Sequence, residues 1–271
     1  MRIFPKTRSG QTGLVLILSI CAVGIFAPWI APYGPWELSG PPTLPPFRDT
    51  AHWLGTDTLG RDILSGIIYG TRVSLLVGFL CTVATVIAGV LLGATSGYFG
   101  GWIDDALMRF TEFFQVLPSF IFAVVLVAVF QPSLYSVMTA IILVSWPPVA
   151  RLVRSEFLTL KRRDFVDAAV TAGKGNGWII FREIMPNATA PIAAMATLMV
   201  AASISLESSL SFLGLGDPNY ISWGYMIGVS RTLIRTAWWM SVFPGIALVI
   251  AILAINMVGD SLGQRGKSRV S

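Results

Sequence analysis

Few side chains in this sequence have the types and spacing that chemistry needs. The single histidine, His52, stands ahead of Asp57 and Asp62, the residue types from which a nucleophile's base or a metal site is built. One imidazole is too few to build a Ser/His/Asp set or a histidine metal site with conviction. Cys21 and Cys81 lie inside apolar stretches, where cysteine packs as a small apolar side chain rather than forming a disulfide or a metal pair. Gly55, Asp57, Gly60 and Asp62 imitate a calcium loop but lack its dense run of oxygen ligands. Asp57 instead suits a capping role at a helix starting near Thr58. Leu59, Ile63, Leu64, Ile67 and Ile68 would share one face of that helix, lying in the outer interface, with Arg61 and Asp62 toward headgroups or a partner. Near the other end, residues 263–268 imitate the close of a phosphate-binding loop. Ser261 stands where that pattern requires its first glycine, and no strand precedes it, so the match is a decoy. No catalytic residue and no metal site is expected.

The elements that must position any functional group are membrane helices. The chain is 54% apolar and 12% charged, against about a quarter charged in soluble domains. Charge-free windows cover residues 9–36, 73–103, 113–150, 184–206 and 236–259. A span needs about 20 residues, so four windows hold one each. The window 113–150 is broken at Gln131-Pro132-Ser133 and reads as a hairpin of two. The expectation is an all-α integral membrane protein with six transmembrane helices, near 13–31, 73–97, 113–130, 134–154, 188–209 and 239–259. Arg2, Lys6 and Arg8 give the N-terminus the look of a signal peptide, but the apolar run is too long and lacks a convincing cleavage site, so an uncleaved span is expected. With both ends on one side, 14 Lys and Arg fall in that side's loops and 5 in the others, which puts both termini in the cytoplasm. Scattered over four loops without interleaved aromatics, these cations do not form a nucleic-acid surface.

Residues 151–188 carry seven of the basic residues yet are too apolar for a solvated tether. A short helix is expected over 164–173, capped by Asp164 and stopped by Gly173, then a turn over 174–177 and a second, amphipathic helix over 178–187 leading into span five. Apolar side chains exposed there either dock another protein or rest on lipid headgroups.

Four segments in order carry a family resemblance. Asp167-Ala168-Ala169, then Gly173, then Ile184-Met185-Pro186 resembles the EAA loop of binding-protein-dependent ABC importer permeases. Asp167 replaces the usual Glu, and Glu183 stands where near relatives tend to have His. Residues 52–65, His52-Trp53-Leu54-Gly55-Thr56-Asp57 through Gly60-Arg61-Asp62, resemble the H-x-LGTDxxGRD segment of the dipeptide/oligopeptide/nickel subfamily. Ser211-Phe212-Leu213-Gly214-Leu215-Gly216 with Trp223-Gly224 resembles its LSFLGLG…WG loop, and Trp239, Phe243-Pro244-Gly245 and Asn256 to Asp260 resemble its last span.

The resemblance implies a type I ABC importer (MetI-like) permease fold of the DppC/OppC type. It divides the chain into residues 1–72, a first span with an extracytoplasmic segment, and 73–271, a five-span core with a cytoplasmic coupling loop at 155–188. It further implies a heterodimer with a second permease subunit, two ATP-binding subunits that hold ATP and Mg2+ in place of this chain, an extracytoplasmic solute-binding protein, and residence in the bacterial inner membrane. Coupling to the ATPases would run through Phe165, Asp167, Ala168, Ala169, Gly173, Trp178, Glu183 and Pro186. Di- or oligopeptides are the implied cargo, with nickel, metal chelates or other small solutes as the alternative. Glu207, the one acid near a span, either lines the translocation path or pairs with an arginine of the partner permease. Gly89, Gly93 and Gly97 give two GxxxG steps for close packing, within the subunit or across the dimer. A membrane enzyme would need convergent acids or a metal set that the sequence lacks. A stand-alone secondary transporter would show internal repeats, and none is visible between the two halves.

Overall fold

Helices account for nearly all regular structure because the sequence is mostly apolar and a spanning segment must satisfy its own backbone. The computed structural model describes the backbone of residues 7–267 and the side chains of residues 7–263. Arg2, Lys6 and the decoy segment beyond residue 263 fall outside those side chains. The order is α1 (Arg8–Ile25), α2 (Ala27–Ile30), α3 (Ile63–Phe99), α4 (Gly101–Val116), α5 (Ser119–Phe130), α6 (Leu134–Leu160), α7 (Asp164–Thr171), α8 (Asn176–Trp178), a π-helical turn (Ile179–Ile184), α9 (Met185–Phe212), α10 (Trp223–Ser230) and α11 (Trp239–Lys267).

The α3–α6 pair forms the centre. A Cβ at Gly89 would lie 2.6 Å from the Val149 Cβ, and one at Gly97 would lie 2.7 Å from the Phe157 Cβ, with Gly93 set against the Ala150 carbonyl. The GxxxG steps are therefore used within the subunit, bringing two backbones together where larger residues would hold them apart. Around this pair lie α9, α11 and α1, the last sealed to α11 at Gly13, whose Cβ would meet Met257 at 2.8 Å. Leu76, Phe79, Leu80, Val83, Ile87 and Leu91 stay exposed along α3, as an apolar solvent permits.

Among the described residues, five helices are long and apolar enough to span a membrane, or six crossings if α4 and α5 count together across their 81° bend. The third span expected at 113–130 is thus corrected. Pro118 confines Leu117 to an extended conformation, φ −86° and ψ 136°, so the helix breaks there. The 12 residues of α5 alone reach roughly 18 Å at about 1.5 Å each, short of a bilayer core of about 30 Å.

The separate interfacial helix expected near Thr58 is also corrected. Asp62, not Asp57, is the N-cap, its Oδ2 accepting from the Ser65 N–H at 2.7 Å and from Ser65 Oγ at 2.8 Å. From there α3 runs unbroken into the second span. Asp57 closes a turn instead, accepting from the Leu59 and Arg61 N–H groups. Asp62 does not face headgroups: it is buried and paired with His52 Nδ1 at 3.2 Å.

Candidate functional site

Two places gather the polar and exposed residues that the apolar bundle does not need for packing. The first is the knuckle between α6 and α9. The tail of α6 ends in a short turn, and Arg163 begins α7 with backbone bonds alone, its carbonyl accepting from Val166 at 2.8 Å. Asp164, expected as the cap, is the first helical residue, where with Asp167 it complements the positive end of the helix dipole. Gly173 ends the helix at φ +72°, with its N–H on the Val170 carbonyl and the Lys174 N–H on the Ala169 carbonyl. These two bonds make a Schellman close, which needs the left-handed conformation that glycine adopts without strain.

This geometry sorts the expected coupling residues into two sets. Ala169 is buried with Val166, and Phe165 is half-buried; all three pack on Phe157, Tyr98, Ile179 and Ile184. Asp167, Ala168, Gly173, Trp178 and Pro186 are exposed, while Glu183 is half-buried, one turn before Asn187, whose amide donates to its carbonyl at 2.7 Å. The second loop helix does not stand alone. Residues 176–212 form one continuous rod through a π-helical turn, because Pro186 brings no N–H to the ladder and the wider turn absorbs the defect.

Three features of the knuckle lie beyond the sequence motifs. Val170 and Phe181 are exposed, as is Trp178, so the turn carries apolar side chains outward while Val166, Ala169 and Ile179 pack inward. Lys174 Nζ sits 5.1 Å from the Trp178 ring centroid. Tyr98, at the end of α3, braces the turn from behind: its hydroxyl donates to Asn176 Oδ1 at 3.0 Å, and its carbonyl accepts from Lys161 Nζ at 2.6 Å. Nearby, Arg154 grips Asp104 with two hydrogen bonds of 2.6 Å, and Ser96 also donates to Asp104, tying α6, α4 and α3. The phenylalanine was visible in sequence as the i+3 neighbour of Trp178. Pairs 50 to 78 residues apart carry no such signal.

The second place is the far end of α9. Glu207 is buried where α9, α10 and α3 meet. Its Oε1 accepts from Ser222 Oγ at 2.7 Å and Ser211 Oγ at 2.8 Å, and its Oε2 from Ser208 Oγ at 3.3 Å. Ser222 is also the N-cap of α10, accepting from the Tyr225 N–H, so the carboxylate sits against the positive end of that helix. Trp223 pins the same turn to α3, its indole N–H donating to the Ile67 carbonyl and its backbone N–H to Ser74 Oγ. Among the described residues no arginine pairs with Glu207.

Beside Glu207 on the same helix, an open groove of about 430 Å3 is lined by Phe120, Ser205, Ser208, Ser209, Phe212 and Leu248. Ser205 and Ser209 satisfy themselves by donating to the carbonyls four residues back, at 2.9 and 2.8 Å. With Leu213 and Ile227 completing it, the wall combines serine hydroxyls with aromatic and aliphatic side chains and carries no charged one. Beyond it, the Leu213–Tyr220 turn is held by Asp217, which accepts from the Leu134 N–H and from the backbone and side chain of Asn219.

Residues 89–271 match the family model described as "Binding-protein-dependent transport system inner membrane component", and residues 1–46 match the "N-terminal TM domain of oligopeptide transport permease C". The dipeptide transport system permease protein DppC of Alkalihalophilus pseudofirmus is 39% identical over 264 residues, covering 95% of this chain and 84% of that one. The di/tripeptide transport system permease protein DppC of Pseudomonas aeruginosa is 38% identical, covering 96% and 88%. In fold, the chain resembles the methionine ABC transporter MetNI in an inward-facing conformation, with a TM-score of 0.61 at 16% identity, over 75% of this chain and 97% of that one.

Proposed function

The chain belongs to the family of binding-protein-dependent transport system inner membrane components, and from that membership we propose how it moves solute. It is the membrane-embedded, pore-forming subunit of an ABC importer of peptides. The cargo follows the curated relatives, which are named for dipeptide and di/tripeptide transport. Both termini and the knuckle face the cytoplasm, and the 31–62 segment and α10 face outward.

The observation that carries the coupling reading is the two-faced α7. Val166 and Ala169 set its back against the π-helical turn, in one buried cluster with Phe157 of α6 and Ala188 of α9, while Ala168 and Val170 are exposed, as are Trp178 and Phe181. A short helix so fixed transmits a push without bending. Two ATP-binding subunits, holding ATP and Mg2+, would seat α7 in a groove, one under this chain and one under a second permease paired with it. Closure of those subunits would drive α7 inward and tilt the rod 176–212 as one piece. That rod carries the hydroxyl groove at its far end, so the docking surface and the path wall are two ends of one lever. Glu207 stands behind the wall, fixing α10 to it, and the uncharged groove passes peptides without selecting side-chain charge. Selection would fall to an extracytoplasmic solute-binding protein.

Val170→Asp tests this reading, because Val170 is exposed and its replacement leaves the packed face intact. Co-expressed with its partner subunits, the variant is expected to lose at least about tenfold of the co-purifying ATP-binding subunit, in keeping with placing a charge in a desolvated contact, while the second permease still co-purifies. Wild-type retention of ATP-binding subunit would reject α7 as the docking element. Absence of any ATP-binding subunit with the wild type would reject the assembly itself.

A further inference from the structure

Arg61 is anchored with care and then left without an acceptor. Its backbone N–H is held by Asp57 Oδ1 at 2.9 Å, and its guanidinium lies 4.6 Å from the ring centroid of Trp36, which in turn meets Tyr225 edge-on at 5.9 Å. The ring face holds the guanidinium in a cation–π contact. Its Nε is nonetheless buried with no hydrogen-bond partner, and Arg61 takes part in neither ion pair found among the described residues. A buried donor left unmade is unfavourable, and in a native structure it calls for a cause.

Arg61 borders a cavity of about 100 Å3 between the 35–63 segment and α10, with Leu59 at the mouth and Ile63, Ile221 and Met226 inside. Two acids also line it, Asp62 engaged through both oxygens and Asp57 through Oδ1. Asp57 Oδ1 receives the Leu59 and Arg61 N–H groups, while Asp62 receives His52 and Ser65. What the cavity offers is an unused planar donor above an apolar floor. The space equals about three waters at ~30 Å3 each, room for a carboxylate on one or two methylenes and too little for a glycerophosphate. Leu59 is exposed where it lines the cavity, and Leu38, Phe47 and Trp53 are exposed on the same segment without helices. An apolar rim around a slot for one anchoring side chain is the anatomy of a protein interface.

We propose that the Arg61 slot is the docking anchor for an Asp or Glu side chain of an extracytoplasmic protein, received between Trp36 and α10. The inference rests on the importer reading above, in which this end faces outward and the partner is the solute-binding protein. Its planar fork, rather than its charge alone, is what a carboxylate uses, so Lys is not an equivalent replacement.

The test uses the complete permease–ATPase complex in nanodiscs, titrated with the purified solute-binding protein. Arg61→Gln is expected to weaken binding about tenfold or more, since one partner of a buried charge pair is removed, and to flatten the salt dependence. Arg61→Lys is expected to recover only part of the loss. Leu59→Glu, an exposed rim position that leaves Arg61 in place, is expected to weaken binding by like-charge repulsion, and co-purification with the ATP-binding subunits reports correct assembly of each variant. Wild-type affinity in both Arg61→Gln and Leu59→Glu overturns the proposal. An Arg61→Gln effect present only in nanodiscs with anionic phospholipid, and absent in zwitterionic ones, also overturns it and assigns the slot to a lipid phosphate. A wild-type complex that binds ATP-binding subunits but no solute-binding protein rejects the slot, whereas one that binds neither rejects the importer reading.

Discussion

At the α7 end of the bundle, a Cβ added to Gly173, Gly175 or Gly177 would meet no atom within 4 Å. At the opposite end, a Cβ on Gly224 would lie 2.5 Å from the Ser208 Cα, one on Gly40 would lie 2.6 Å from His52 Nε2, and one on Gly60 would run into the Gly40 carbonyl. Glycine is present at both ends for different reasons. In the knuckle Gly173 supplies a left-handed backbone conformation, and space around all three glycines is left open. In the outer cap glycine lets backbones touch, and the polar groups drawn in with them are satisfied from within the chain: His52 with Asp62 and the Ser39 carbonyl, Glu207 with three serines. One end leaves open space around its glycines, and the other is largely satisfied from within, with Arg61 Nε and Ser39 Oγ as its exceptions among the described residues.

The sharpest way to break this comparison is to put the same methyl group at each end. Gly60→Ala is expected to be the most damaging change. Gly60 has φ +82° and faces the Gly40 carbonyl, so left-handed strain of about 1–2 kcal/mol adds to overpacking of about 1–3 kcal/mol. A large fall in folded yield and melting temperature in detergent is expected. Gly173→Ala carries only the strain, about 1–2 kcal/mol, because nothing crowds it. It is expected to keep the global melting temperature near wild type and to speed amide exchange locally over 164–178. Equal global destabilisation by the two variants would show that the knuckle is as tightly built as the cap.

How far the sequence reaches follows the same division. The knuckle was legible because its design is local: a helix start, a glycine stop and exposed apolar residues lie within 20 positions, and the resemblance through Asp167-Ala168-Ala169 and Gly173 points to the same turn. That Ala169 faces inward while Ala168 faces outward was not legible, since assigning the faces of an eight-residue helix needs the neighbours to settle it. The cap was misread for the opposite reason. Asp57 and Asp62 sit five residues apart, and either one can cap a helix. The choice is made by His52, Ser39 and Gly40 arriving from a loop whose path the pattern does not encode. Likewise Leu117-Pro118 lies in a charge-free run, so a count of charges cannot reveal an 81° bend that a missing N–H and a restricted preceding residue produce.

Glu207 tests whether the cap is self-satisfied or merely crowded. Glu207→Leu removes the acceptor shared by Ser208, Ser211 and Ser222 and frees the first turn of α10 from α9. Loss of one buried, hydrogen-bonded acceptor is expected to lower stability by about 1–3 kcal/mol, seen as a fall in melting temperature together with faster exchange of the Tyr225 and Met226 amides. Glu207→Gln keeps one oxygen acceptor in place and is expected to lose less. A leucine variant as stable as wild type would mean that packing of Trp223 and Gly224, rather than the carboxylate, holds α10.

The smallest effect expected is a pH dependence confined to the outer turn at Asp217. Burial by itself would raise this carboxyl, but the Asn219 and Leu134 backbone N–H groups and the Asn219 side-chain amide donate to it and hold it below its ordinary value. A carboxyl whose folded pKa lies below its unfolded one binds fewer protons when folded, so its contribution is complete above the unfolded pKa, about 3.9 for Asp, and is lost as pH falls through the folded one. Exchange of the Leu134 and Asn219 amides is therefore expected to show constant protection from neutral pH to about pH 5, after correction for intrinsic rates, and protection that declines only below about pH 4. Asp217→Asn is expected to remove that acid decline and to sit below wild type at neutral pH, where the charged acceptor is stronger. The α7 amides, whose Schellman close is made between backbone groups alone, serve as the internal reference. Parallel loss of protection at both ends on acidification would show that the two regions open as one unit, and that the cap and the knuckle do not differ in how they are held.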